Sequence, residues 1–200
     1  MVEKRSKRRG KIVIVTGIPG VGKTTVLNKV LELCSSEGVN VKVVNYGDVM
    51  LEEALRRKLV SHRDEMRKLP LPQQLELQQL AAERISQLAA EKNLIVDTHT
   101  LIRTREGFLP GLPLWVLALL SPDVVVAIEA DPREIQQRRL RDAAIRSRET
   151  DVEEVIQEHQ SLCRSAAIAA ATITGATVLI VRNEEGKVEE AANSIASLFK

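Results

Sequence analysis

The stretch KIVIVTGIPGVGKTT, residues 11–25, decides the fold. Its first six residues are an apolar run that predicts a buried strand, and TTVLNKVLELC has the apolar spacing of a helix. Between them, Gly17 to Thr24 match the pattern G-x-x-x-x-G-K-[ST] in full. Such a loop points its backbone N–H groups at phosphate oxygens, and the following helix adds the positive end of its dipole. We therefore predict a phosphate-binding loop (P-loop).

Three residues are expected to carry the chemistry of this site. Lys23 neutralises charge on the β- and γ-phosphates, and the Thr24 hydroxyl supplies a hard oxygen to Mg²⁺. The run LIVDTH, residues 94–99, ends a strand in an acid, and we predict that Asp97 orients the magnesium shell from there. His99 lies two residues further on and fits a polar surface residue or a substrate contact.

Short apolar runs alternate with longer amphipathic segments along the rest of the chain. Strands are predicted at residues 11–16, 41–46, 94–99, 124–130 and 177–181, and helices at residues 22–37, 48–60, 71–92, 132–145, 152–173 and 187–199. This alternation predicts the α/β fold class and, with the P-loop, the P-loop NTPase fold: a five-stranded parallel sheet flanked by helices.

The chain is expected to form one domain over residues 11–200, because no linker or composition shift divides it. Two insert-like stretches, at about 47–70 and 138–150, carry arginine out of proportion. Residues 1–10 form a basic arm, which fits either a solvated, flexible end or a segment that contacts RNA or an anionic surface.

Composition argues against several classes of partner. The net charge of +2 is too small to indicate a nucleic-acid partner, and 2% aromatic residues leave no platform for stacking bases. Two cysteines, Cys34 and Cys163, and no signal segment favour the cytoplasm. The most apolar window, residues 165–181, is interrupted by Gly175 and too short for a membrane span. We interpret it as a buried helix that runs into a buried strand.

A cluster of arginines follows the fourth predicted strand. Arg138 and Arg141 are three residues apart and so share a helix face, and Arg146 and Arg148 follow in a predicted loop. Four guanidinium groups suit phosphoryl transfer between two anionic substrates, since they stabilise charge in the transition state. A solvated helix with ion pairs, for example Arg138 with Asp142, is the alternative.

A second polar cluster follows the second predicted strand. Asp48 is the expected N-cap of a helix, and Arg63 and Arg67 lie four residues apart. Together they fit a second phosphate site, although RDEMR also fits an ordinary salt-bridged turn. Residues 102–113, which include Arg103, are expected to form a shaped loop at the carboxyl end of the sheet, where open α/β sheets bind ligands.

Taken together, the motifs VTGIPGVGKTTVL, VNYGDVM, RDEMRKL, VDTHTLIRT, GFLPGLP, EADP, RRLRD, RSR and SAAIAAATITGATV cover nearly all of residues 11–199 in order. In this combination the chain resembles the archaeal-type adenylate kinases, a branch of the P-loop nucleoside monophosphate kinases. The resemblance implies Mg²⁺-dependent transfer of a phosphoryl group from ATP to AMP, giving two ADP. It further implies an AMP-binding insert, a short lid at residues 138–150, and a cytoplasmic homotrimer.

The resemblance also assigns roles to individual residues. ATP binding is expected at Gly17, Ile18, Pro19, Gly20, Val21, Gly22, Lys23, Thr24 and Thr25. AMP binding is expected at Asp48, Arg63, Arg67 and Arg103. The catalytic residues would be Lys23 with the lid arginines Arg138, Arg141, Arg146 and Arg148, and the metal site would be Thr24 and Asp97. The basic arm extends beyond the usual start of such proteins, and the lid is too short to hold a zinc site.

Two other functions remain open at this point. One is a P-loop ATPase that uses the basic arm to act on RNA or an assembly partner. The other is a kinase for a different monophosphate, such as CMP or UMP, because backbone groups can select the base and leave no mark in the sequence.

Overall fold

Five parallel strands form the central sheet, in the order β2-β3-β1-β6-β7. The computed structural model describes residues 8–104, 107–143 and 151–200. Within these residues the strands are β1 (Ile12–Thr16), β2 (Val41–Asn45), β3 (Asn93–Asp97), β4 (Leu101–Thr104), β5 (Gly107–Pro110), β6 (Val124–Glu129) and β7 (Thr177–Arg182). The prediction of a five-stranded parallel sheet is therefore confirmed.

Helices cover both faces of this sheet. They are α1 (Lys23–Ser36), α2 (Tyr46–Arg56), α3 (Leu71–Leu88), α4 (Leu114–Leu120), α5 (Pro132–Ala143), α6 (Glu153–Thr174) and α7 (Val188–Ala196), with 3₁₀ turns at Arg63–Lys68 and Ser197–Phe199. Since side chains alternate along a strand, Val13 and Val15 pack with α1 and α7 on one face. Ile12 and Ile14 pack with α3 and α4 on the other. Every residue of β1 and β6 is buried as a result.

The second predicted helix starts earlier than its sequence suggested. Asp48 was the expected N-cap, but α2 begins at Tyr46 and its N-cap is Asn45. The Asn45 Oδ1 accepts a hydrogen bond from the Asp48 backbone N–H at 3.1 Å. Asparagine and aspartate are equally good caps, so propensity alone does not choose between these two positions.

The segment expected to be a shaped loop contains a small hairpin instead. β4 and β5 pair antiparallel, with Arg103 opposite Phe108 and Thr104 opposite Gly107. The short helix α4 follows and was also not predicted. Its sequence, LWVLALL, has no polar face, so the apolar period that marks an amphipathic helix is absent.

The apolar window at residues 165–181 forms the end of α6 and most of β7. The interpretation of β7 as a buried strand is wrong, because it lies at the edge of the sheet and only Val181 is buried. Among the described residues, no helix has both the length and the apolar character needed to cross a membrane.

The basic segment at the N-terminus is anchored at Arg8. Its Nη1 donates to the backbone oxygens of Leu120 and Ser121, at 2.9 and 2.8 Å, and its Nη2 is ion-paired with Asp123. Only 10% of the Arg8 side chain is exposed. The boundary that the sequence suggested at residue 10 is therefore corrected: Arg8 belongs to the folded domain, and residues 1–7 lie outside the described part of the chain.

Replacing Arg8 with alanine should lower the free energy of unfolding by about 2 kcal/mol, because Asp123 and two carbonyl groups lose a charged donor. Urea denaturation measures this change. Arg9→Ala is the matched control, since Arg9 is exposed, and its effect should stay below about 0.5 kcal/mol. Equal midpoints for the two variants would contradict the anchoring role.

Candidate active site

The P-loop connects β1 to α1, and its shape depends on two glycines. Gly20 and Gly22 have φ angles of 89° and 88°, in the left-handed region that favours glycine. A Cβ atom on Gly22 would lie 2.4 Å from the Asn183 Nδ2, and one on Gly20 would lie 2.9 Å from the Arg139 Cγ. Both positions therefore exclude any side chain. α1 begins at Lys23, so the free N–H groups of its first turn adjoin the loop.

The register of the sheet brings the Asp97 carboxylate to the P-loop. Asp97, at the end of β3, lies opposite Val15 of β1 on one side and Asn45 of β2 on the other. Its Oδ1 is ion-paired with the Lys23 Nζ, and its Oδ2 accepts from the Asn45 Nδ2 at 2.8 Å. The side chains of Lys23 and Asp97 are each only 12% exposed. Lys23 and Asp97 were predicted from separate motifs, and the structure joins them in one ion-paired unit.

Asn45 is also part of this unit, and its role was not predicted. Its amide donates to Asp97, while its carbonyl oxygen caps α2. One side chain therefore connects the carboxylate beside the P-loop to the start of α2.

The oxygen donors at this edge suit a hard divalent cation. Thr24 is exposed in the first turn of α1, and Asp97 lies beside Lys23. Within the described residues, no group of three histidine, cysteine, aspartate or glutamate side chains could enclose a metal ion. An ion here would take most of its ligands from water and phosphate, which is the usual situation of Mg²⁺ in phosphoryl-transfer sites.

His99 forms a hydrogen bond with the backbone of the P-loop. Its Nδ1 lies 2.9 Å from the Gly17 backbone oxygen, so the Nδ1–H tautomer donates to the loop. Burial, together with the nearby charge of Lys23, lowers the pKa of His99 to about 4. The two interpretations open from the sequence, a surface residue or a substrate contact, both miss this contact with the loop.

Of the four predicted lid arginines, the structure brings Arg138 to the P-loop. The Arg138 Nη1 donates to the Val21 backbone oxygen at 3.1 Å, and its Nη2 to Glu134 at 2.7 Å. Among the described side chains, its ion-pair partner on the helix is Glu134, on the turn before. The side chain of Asp142, the partner in the alternative interpretation, lies outside the described part of the structure. The Arg141 side chain is 64% exposed, and its Nη2 lies 3.9 Å from the Glu185 Oε1. Arg146 and Arg148 lie outside the described residues.

Arg139 was not predicted, although it contacts the loop more closely than its neighbours do. Only 5% of it is exposed, and its Nε donates to the Pro19 backbone oxygen at 2.9 Å. Asn183 also contacts the loop, since its Nδ2 donates to the Val21 oxygen at 2.8 Å. A signal for Arg139 was present, because it lies four residues after the buried Ile135 and so shares the buried face of α5.

The predicted AMP residues divide between two places. Arg63, at the start of the 3₁₀ turn, is ion-paired with Asp48 in the first turn of α2, and both side chains are exposed. Arg103 lies on the hairpin, and its Nη1 donates to the Asp151 Oδ1 at 2.8 Å. The Arg67 side chain lies outside the described part of the structure.

Acidification should destabilise the protein through His99. Since the pKa of His99 is lowered to about 4 on folding, the unfolded chain binds a proton that the folded chain does not as pH falls from about 6.5 to 4. Stability is thus lost as pH falls through this window. Burial also lowers the pKa of His159, which acts in the same direction.

His99→Asn keeps an N–H donor and removes this titration. Between pH 7 and pH 5 the variant should lose about 2 kcal/mol less unfolding free energy than the parent, measured by urea denaturation. His62→Asn is the control, because His62 is exposed. Identical pH dependence of the His99 variant and the parent would show that His99 is not buried as a neutral ring.

Comparison with known proteins agrees with this geometry. The sequence profile of the AAA domain family matches residues 16–157. Adenylate kinase of Methanopyrus kandleri is 52% identical over 192 residues, which cover 96% of this chain and 98% of that protein. Adenylate kinase of Methanocaldococcus jannaschii is 45% identical and covered in full, and that of Pyrococcus horikoshii is 48% identical, with 94% of each chain covered.

Among solved structures, shikimate kinase from Acinetobacter baumannii in complex with shikimate matches with a TM-score of 0.56. That match covers 98% of this chain and 96% of the other, at 15% identity, and so bears on the fold alone. The sequence relatives go further, because their identity is high over nearly the whole length. They confirm the resemblance expected from the motifs, and this chain belongs to the archaeal-type adenylate kinase family.

Proposed function

We propose that the chain catalyses the reversible transfer of the γ-phosphoryl group of MgATP to AMP, giving two ADP. An oxygen of the AMP phosphate attacks the γ-phosphorus, and the bond to the β–γ bridging oxygen breaks, so that the first ADP leaves as the second forms. The observation that carries the proposal is the buried Lys23–Asp97 pair at the base of the P-loop. It combines a phosphate-binding cation with a metal-orienting carboxylate at one point.

The P-loop residues position the donor. Backbone N–H groups of the P-loop surround the β-phosphate, and Lys23 neutralises charge on the β- and γ-oxygens. Arg138 lies against the same loop through the Val21 oxygen, so its charge adds to that of Lys23. We assign Arg141, Arg146 and Arg148 to the lid at residues 138–150, where they stabilise charge on the transferring group.

Thr24 and Asp97 would hold Mg²⁺, the threonine directly and the aspartate through water. In this position Mg²⁺ would supply positive charge that offsets the charge of the β- and γ-phosphates. Asn45 keeps the carboxylate oriented, because it donates to one of the two Asp97 oxygens. No covalent intermediate or strong base is required, since positioning and charge stabilisation supply most of the catalysis.

We assign AMP to the insert at residues 47–70 and to the hairpin. Its phosphate would contact Arg63, Arg67 and Arg103, with Asp48 holding Arg63 in place. Guanidinium groups suit this role because they donate two parallel hydrogen bonds to a phosphate. By family resemblance we also infer a cytoplasmic homotrimer.

The acceptor is tested with purified protein, Mg²⁺, ATP and each of AMP, CMP, UMP and GMP, followed by chromatography of the nucleotides. Rapid ADP formation is expected with AMP alone. Equal rates with CMP or UMP would assign the enzyme to another monophosphate. ADP and free phosphate formed without any acceptor would contradict a transferase, and a hydrolase acting on RNA or an assembly partner would then take its place.

Lys23→Ala should lower kcat by about 10²- to 10³-fold, because charge on the transferring phosphate loses its main protein cation. Lys29→Ala is the matched control on the same helix, where Lys29 pairs with Glu32 at 3.3 Å on the surface, and it should retain the parent rate. Circular dichroism verifies that both variants fold. A near-normal rate for Lys23→Ala would refute the assignment of the loop.

A further inference from the structure

Asp151, which lies two residues before α6, joins two arginines from different parts of the fold. Its Oδ1 accepts from the Arg103 Nη1 on β4, and its Oδ2 accepts from the Arg139 Nη1 on α5, both at 2.8 Å. Its backbone oxygen also accepts from the Gln136 Nε2 at 3.0 Å. Asp151 is therefore fixed to α5 by its backbone while its carboxylate bridges two cations.

Arg139 connects Asp151 to the loop of the proposed donor site. Arg139 is 5% exposed, and its Nε donates to the Pro19 oxygen in the P-loop. A buried guanidinium requires a counter-charge, and Asp151 is the carboxylate that the described residues supply to it. The geometry of the P-loop and the position of Asp151 are therefore connected through a single side chain.

Arg103 connects Asp151 to the proposed acceptor site. The Arg103 side chain is 44% exposed, and among the described residues its contact is the one with Asp151. That contact uses one Nη, which leaves the Nε and the second Nη to face a ligand. An arginine held at one end by a carboxylate loses less rotamer freedom when it binds a phosphate with the other.

We propose that Asp151 is a positioning residue, which holds Arg103 ready for the acceptor phosphate and connects it through Arg139 to the loop that binds the donor phosphate. This inference rests on the proposed function, in which Arg103 contacts AMP. It places one carboxylate between the two phosphate sites, at a residue that itself contacts neither nucleotide.

The test is a double-mutant cycle of Asp151→Asn and Arg103→Ala, with the dissociation constant of AMP measured by calorimetry and the KM for AMP and ATP by steady-state kinetics. Asp151→Asn keeps one carbonyl oxygen, which the buried Arg139 retains, so Arg103 is the partner that is released. We expect Asp151→Asn to weaken AMP binding about tenfold and to change the KM for ATP less than twofold. In the Arg103→Ala background it should have no further effect on AMP.

The matched control is Glu153→Gln. Glu153 lies two residues away and pairs with Arg133 of α5 at 3.1 Å, in an exposed position. It should leave AMP binding unchanged. If Asp151→Asn does not fold, the cycle is repeated with Arg139→Gln added, because this removes the buried cation together with its counter-charge.

An equal loss of AMP affinity in both Arg103 backgrounds would overturn the proposal, and so would unchanged AMP binding in Asp151→Asn. A parallel loss of AMP and ATP binding with lowered thermal stability would also overturn it, because a merely structural role predicts that result. Failure of the proposed function is recognised separately, since the parent protein would then form no ADP in response to AMP.

Discussion

Parallel pairing of β2, β3 and β1 is the constraint on which the site depends. In a parallel sheet the strands end at one edge, and here that edge carries Asn45, Asp97 and the start of the P-loop. A shift of one residue in β3 would turn Asp97 to the other face and leave Lys23 without its partner. The fully buried strands β1 and β6 fix the register through their apolar contacts. The core therefore sets the position of the charges.

Around this edge, the P-loop is supported on several sides before any phosphate binds. His99 donates to the Gly17 oxygen, Arg139 to the Pro19 oxygen, and Asn183 to the Val21 oxygen. These three carbonyl oxygens of the loop are thus already paired with side chains from β3–β4, α5 and the end of β7. The loop thus has its binding geometry at little further entropic cost.

The parts of this arrangement that depend on local patterns could be predicted from the sequence. The P-loop, the five strands and the acid at the end of β3 are each marked within a few residues. Asn45 and Asp151 could not be found this way, because their partners lie 52, 48 and 12 residues away and depend on strand register and helix packing. For Arg139, the sequence pattern indicates that it lies on the buried face of its helix. The pattern does not indicate its acceptor, the Pro19 oxygen. Arg103 was predicted at a ligand site, whereas its hairpin was not.

The side chains that hydrogen-bond the P-loop differ from a phosphate ligand in how their charge depends on pH. A guanidinium remains charged at every pH that a protein tolerates. Above about pH 5 His99, with its pKa lowered to about 4, is neutral. In this range the potential that these side chains create behind the loop is therefore constant. A phosphate monoester, in contrast, changes charge near pH 6. The substrate, and not these side chains, thus supplies the proton sensitivity of binding in the neutral range.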